Sequence, residues 1–296
     1  MKPQDIQKDG WISIAGAFLQ ESGVIRLHEP ASADRQRLIH QLLDGIYPRP
    51  FIIDDGKTRR LQFSLKLVQS EMELAAPDAL ALAYTRRMMG FLLFNAAPKQ
   101  LIVVGLGGGS LTKYCYRNLA RTRITALELS AGVIACRDWF LIPPDDERLA
   151  IIQADAAQYF AQPSGSDSTR ADVILLDAYD EDGLAPQLCS RRFYEDVRSR
   201  LKPAGLLVAN ISGYGPLAET HIDLMREVFN ERVVVIDVSS EGNRIAYAFN
   251  NPAHPPPWKN LAREARALDD KLDLDLATLL REMERSAGRQ RRKAER

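Results

Sequence analysis

The chain has 296 residues, with 39 Lys and Arg against 39 Asp and Glu, 46% hydrophobic and 26% charged residues. Balanced charge excludes a broadly basic nucleic-acid binder, and a chain this long buries about 75% of its unfolded surface without disulfides or structural metal. Three scattered cysteines, Cys115, Cys136 and Cys189, and four histidines without ligand spacing point away from a disulfide scaffold and from a metal centre.

The apolar stretch at 11–19 is interrupted by Ser13, follows Asp5 and Asp9, and lacks a basic leader with a small-residue cleavage site. No uncharged run approaches the roughly 18 residues of a membrane span. The expectation is a cytoplasmic protein. Short strands are predicted at 24–27, 51–53, 60–63 and 67–69, with Asp54-Asp55-Gly56-Lys57 as a turn. Residues 77–94 then predict a helix, starting near Pro77 and Asp78. These first hundred residues, β-rich over 1–76, read as a cap over the main core and as a lid supplying pocket residues, and neither reading excludes the other.

From Leu101 the pattern changes. Strands at 101–105, 124–127, 149–153, 172–176 and 206–211 alternate with helices at 110–119, 131–140, just after 155, 191–201 and 216–229. Such alternation means βαβ units and a mainly parallel sheet covered by helices on both faces. Two last strands, 232–238 and 243–249, are joined by Ser239-Ser240-Glu241-Gly242, so they form an antiparallel hairpin at the end of the sheet. Residues 77–251 therefore read as a Rossmann-like domain with its leading helix. Pro252, Pro255, Pro256 and Pro257 end it, and 252–296 reads as a helical extension, helical from 258 to about 283, closing on the short basic run RQRRKAER.

The strongest chemical signal is LIVVG-LGGGS, which contains Gly105, Gly107, Gly108, Gly109 and Ser110. A glycine turn before a helix lets backbone approach a ligand and offers free N–H groups. Glu128 ends the next strand about twenty residues on, where a carboxylate can accept ribose hydroxyls. Asp155 and Asp177 end the third and fourth strands, though each could equally cap the segment behind it. Together these groups make an acidic cleft at the ligand-binding edge of the sheet, suited to a cationic partner.

This ordered set resembles the spermidine synthase family of polyamine aminopropyltransferases, in a divergent, spermidine-synthase-like branch. The likeness runs through Val103–Gly109, Ile124–Glu128, Arg148–Ala156, Asp172–Asp180, Phe193-Tyr194 and Leu201-Lys202-Pro203 to Asn210, and more weakly through Val68-Gln69-Ser70 and Ala83-Tyr84. It implies the class I S-adenosylmethionine-dependent methyltransferase fold. It also implies aminopropyl transfer from decarboxylated S-adenosylmethionine to an amine such as putrescine, with release of methylthioadenosine. By the same resemblance Gly105, Gly107, Gly109, Glu128, Asp155, Ala156 and Gln69 hold the sulfonium nucleoside. Asp177 is the catalytic carboxylate, Asp180 its companion in D-x-x-D, Tyr84 lines the amine site, and Tyr179, Glu181 and Pro186 belong to a gate loop. A homodimer is implied, and no metal or tightly bound cofactor.

The chain departs from the family at Gly108, where the family carries an aspartate, at Ala178-Tyr179 between the paired aspartates, at Glu181 in place of proline, and at Thr85-Arg86 after the tyrosine. Three further readings stay open: an S-adenosylmethionine-dependent methyltransferase, in which Arg86 or Arg87 could receive the substrate carboxylate, a nucleoside-binding homologue without turnover, and an NAD-type enzyme. The extra acidic strand ends and the closing hairpin weigh against the last.

Overall fold

The computed structural model describes residues 9–65, 67–163, 170–180, 183–184, 186–253 and 257–294. The N-terminal part is a five-stranded antiparallel meander of β1 (Ile12–Ala15), β2 (Val24–Leu27), β3 (Phe51–Asp54), β4 (Thr58–Ser64) and β5 (Leu67–Glu73), paired in chain order. The Asp55 carboxylate folds the β3–β4 turn by accepting the N–H groups of Lys57 and Thr58. A helix that the apolar spacing does not announce, α1 (Arg35–Leu43), packs Leu38 and Leu42 against Ile25, Leu27 and Phe51. Its signal is the cap: Asp34 accepts from Gln36 N and Arg37 N.

The helix expected over 77–94 is shorter. Helix α2 spans Ala83–Met88, and a 3₁₀ turn at Met89–Leu93 continues it. Pro77 and the following turn residues do not start it; the start is imposed from a distance by Glu241, whose carboxylate accepts the N–H groups of Ala83 and Tyr84.

The main sheet has seven strands: β6 (Gln100–Val104), β7 (Arg123–Glu128), β8 (Leu149–Gln153), β9 (Ala171–Leu176), β12 (Leu201–Ser212), β13 (Val233–Val238) and β14 (Asn243–Phe249). A small ribbon, β10 (Tyr179–Asp180) with β11 (Gly183–Leu184), stands after β9. The order is β13-β14-β12-β9-β6-β7-β8. From β12 to β8 all pairs are parallel; β14 runs antiparallel to both neighbours, so the hairpin folds back and β14, not β13, meets β12. This is the Rossmann-like sheet with an antiparallel end that the sequence led us to expect.

Helices α3 (Ser110–Asn118), α5 (Ala156–Ala161), α6 (Arg191–Ser199) and α7 (Pro216–Val228) follow their strands. Helix α4 is only Ala131–Ala135, half the expected 131–140. Beyond it the chain turns inward, buries Trp139 and Phe140, and passes through Leu141 at φ +55°. The Lys113 ammonium, itself buried, holds that segment by donating to Phe140 O at 2.8 Å.

The expected single tail helix is two, α8 (Trp258–Leu272) and α9 (Leu276–Ala294). Left-handed backbone at Asp273 and Asp275 breaks them, and Asp269 caps α9 by accepting from Leu276 N and Ala277 N. Leu276, Leu279 and Met283 are completely buried in the main core, and each such side chain stabilises the fold by about 1.5–3 kcal/mol. Cys115 and Cys136 are core residues, as expected, and burial pushes both thiols up to about 12.

Candidate active site

At the carboxyl edge of the parallel strands lies a cavity of about 210 Å³. Gln69, Tyr84, Gly105, Gly107, Glu128, Asp155, Ala156 and Asp177, all singled out from the sequence, line its wall. The sheet explains the convergence. Leu176 pairs with Val104 on one side and with Ala209 on the other, so the next residues, Gly105, Asp177 and Asn210, emerge side by side.

Gly105 shows why the turn needs glycine. Its φ is +91°, and a Cβ there would stand 2.1 Å from the backbone oxygen of Asp177. Glu128 braces the turn, its Oε2 accepting from Leu106 N at 2.9 Å and its Oε1 from Ser130 N at 2.8 Å. Each oxygen keeps a lone pair for a ligand hydroxyl. Asp155 does cap α5, with Oδ1 accepting from Ala157 N and Gln158 N, yet it also lines the cavity. Its two readings are therefore compatible.

Gly109 stands apart from the set. It is not in the wall: its N–H donates to Leu106 O at 2.8 Å, and a Cβ on it would meet Ile142 at 2.5 Å. It shapes the turn from behind. Gly108 is also closed off, because a Cβ there would lie 2.7 Å from Ser70 Oγ and 2.8 Å from the Phe140 ring. The space that a side chain would occupy at this position is filled by Ser70 of β5 and by Phe140 of the inward segment after α4.

Asp177 sits at the other end of the cavity. Its Oδ1 accepts from Asn210 Nδ2 at 2.9 Å and its Oδ2 from the Tyr84 hydroxyl at 3.2 Å. Burial raises its pKa from 3.8 to about 6, against the pull of those two donors. Asn210 was not assigned a role from the sequence; its position one step past the pair with Leu176 is the signal that could have found it. Arg86 and Arg87 turn away from the cavity: Arg86 donates to Asp273 O at 2.7 Å, and Arg87 pairs with Glu282 at 3.2 Å. Of the expected gate, Tyr179 and Asp180 form the backbone of β10, Pro186 opens a 3₁₀ turn to Leu188, and Glu181 lies outside the described residues.

A glycine turn, acidic strand ends and this strand order define a Rossmann-like sheet with a cavity at its carboxyl edge. The family model for the spermine/spermidine synthase domain matches residues 81–237, and the chain belongs to that family. The polyamine aminopropyltransferase of Chromobacterium violaceum is 30% identical over 240 residues, 81% of this chain and 90% of the relative. Among solved structures, a probable spermidine synthase from Corynebacterium glutamicum superposes with a TM-score of 0.61 at 21% identity, covering 73% of this chain and 84% of that one. Human methyltransferase-like protein 13, in complex with SAH, gives 0.60 at 23% identity over 65% and 93%. At such identities the two superpositions speak for the fold alone. No helix among the described residues is long and apolar enough to cross a membrane.

Proposed function

We propose that the protein transfers the aminopropyl group of decarboxylated S-adenosylmethionine to a primary amine such as putrescine, releasing methylthioadenosine. One observation carries the choice of donor. The described cavity wall holds three carboxylates, Glu128, Asp155 and Asp177, and no Lys, Arg or His. The decarboxylated donor and an amine acceptor are both cationic and suit such a wall, whereas intact S-adenosylmethionine would add a further carboxylate to it, left to the N–H groups of the glycine turn alone.

In this reading Glu128 accepts the ribose hydroxyls, Asp155 and Ala156 meet the adenine, Gln69 reaches the nucleoside from β5, and Gly105 and Gly107 let the sulfonium approach the backbone. Asp177 meets the acceptor amine. A carboxylate with a pKa of about 6 is ionised at neutral pH, orients the amine lone pair and receives its proton. That lone pair attacks the methylene bonded to sulfur. The carbon–sulfur bond breaks, its electron pair stays on sulfur, and the positive sulfonium leaves as a neutral thioether. Tyr84 lines the amine end, Asp180 holds the acceptor's second charge, and Tyr179 and Pro186 belong to the gate beside it. The active protein is a cytoplasmic homodimer, its dimer checked by sedimentation.

The test is incubation with decarboxylated S-adenosylmethionine and amines from diaminopropane to spermidine, followed by mass spectrometry. Methylthioadenosine and an amine extended by one aminopropyl unit, formed together above the no-enzyme control, are expected. Absence of both would overturn the reaction. Methyl transfer from intact S-adenosylmethionine would then identify a methyltransferase, and methylthioadenosine binding without turnover a non-catalytic homologue.

A further inference from the structure

Both groups that hold Asp177 are themselves held from one place. The turn between β13 and β14 lies past the carboxyl end of β12, tied to it where Gly213 N donates to Gly242 O at 2.8 Å. From this hairpin Glu241 receives Ala83 N on Oε1 at 2.8 Å and Tyr84 N on Oε2 at 2.9 Å. It caps a helix whose own N-cap residue, Leu82, offers no side-chain acceptor. Two residues on, Asn243 Nδ2 donates to Asn210 Oδ1 at 2.9 Å. We propose that the β13–β14 hairpin positions the amine end of the site, with Glu241 and Asn243 as positioning residues that act on Asp177 through Tyr84 and Asn210. The kinetic consequence rests on the aminopropyl-transfer reading; the geometry does not.

The chemistry explains why both arms are needed. An ionised carboxylate only accepts, so both partners must present donors to it. A phenol hydroxyl rotates freely, and what must be fixed is the ring, which follows the first turn of α2. An amide can face either way. Its NH₂ donates to Asp177 while its oxygen accepts from Asn243, so both ends of the amide favour one orientation. A carboxylate at position 243 would compete with Asp177 for that NH₂ and add a like charge beside it, both of which favour the protonated acid.

The charged groups nearby leave this relay intact. Glu128 and Asp155 face the cavity from the ends of β7 and β8. Arg244, next to Asn243, pairs with Glu219 at 2.7 Å, while Arg86 and Arg87 engage α8–α9.

The test uses Asn243→Asp, Asn243→Leu, Glu241→Ala and Glu241→Gln in the full-length protein. The Asp177 carboxyl carbon is titrated by ¹³C NMR, assigned by its loss in Asp177→Asn, and steady-state kinetics are measured beside it. The nearly isosteric Asn243→Asp should raise the Asp177 midpoint by one pH unit or more and carry the acid limb of kcat/KM with it. Asn243→Leu and Glu241→Ala should lower kcat by about 10- to 100-fold, with KM for the nucleoside donor within about twofold. Glu241→Gln, which keeps one acceptor, should recover part of that loss. A purely structural hairpin would lower Tm while leaving the midpoint in the uncharged variants Asn243→Leu and Glu241→Ala, and their kcat, at wild-type values, and that result overturns the inference. A wild-type protein that turns over no amine overturns the reaction instead, and the NMR midpoint in Asn243→Leu, which removes the donor without adding a charge and should also rise, still decides the relay.

Discussion

Replacing Asp177 by asparagine separates what the carboxylate does for chemistry from what it costs the fold. The substitution keeps shape and both hydrogen bonds: the new side-chain oxygen can still accept from Asn210, and the Tyr84 hydroxyl can rotate to accept from the new NH₂. Turnover should fall by about 10²–10⁴-fold because no base remains at the attacking nitrogen. Stability should move the other way. The native carboxyl titrates at about 6 and the unfolded one near 3.8. Between those values the unfolded state has lost its proton while the native state keeps it, so stability falls as pH rises through the window and stays lowered above it. Removing the ionisable group should therefore stabilise the protein by at most about 3 kcal/mol at pH 8 and about 1.5 kcal/mol at pH 5. These are ceilings, because water in the cavity screens the charge. Urea denaturation of both proteins at the two pH values reads the difference directly. An asparagine variant no more stable than wild type at pH 8, or stabilised equally at both pH values, would refute the raised carboxylate.

Two other substitutions probe the wall, and a third probes the closed-off position 108 behind it. Glu128→Gln keeps an acceptor for one of Leu106 N and Ser130 N but loses the charge, and should weaken methylthioadenosine by about 10- to 100-fold in calorimetry, in line with one or two charge-assisted hydrogen bonds; an unchanged Kd would remove Glu128 from the nucleoside site. Asp155→Ser retains a capping oxygen, so unfolding free energy should change by less than about 0.5 kcal/mol while nucleoside affinity drops; the reverse pattern would make Asp155 a cap only. Gly108→Asp, which restores the family's residue, should destabilise the protein by about 1–3 kcal/mol without improving putrescine turnover, because its Cβ meets Ser70 and Phe140. Adding Phe140→Leu should return part of that stability, and an aspartate variant as stable as wild type would show that the segment after α4 yields easily.

The two ends of the cavity were unequally legible in the sequence, for a physical reason. The nucleoside end is made of features local in the chain: a strand, the glycine turn behind it, and a carboxylate at each following strand end. Gly105, Glu128, Asp155 and Asp177 could be found by counting along βαβ units, because a parallel sheet brings successive carboxyl ends to one edge. The amine end is assembled from long range. Tyr84 reaches Asp177 across 93 positions, Asn210 across 33, and Glu241 reaches back 157 to Tyr84. Nothing in local propensity marks Glu241 as the cap of α2, and so the sequence pattern starts the helix six residues early, at Pro77. Gly108 belongs to the same class. Its sequence position shows a missing aspartate, but only the turn of the chain after Ala135 shows that Phe140 has taken the space. A side chain at 108 would need room that Ser70 and the buried Phe140 ring fill, and emptying that room would cost the packing the ring supplies.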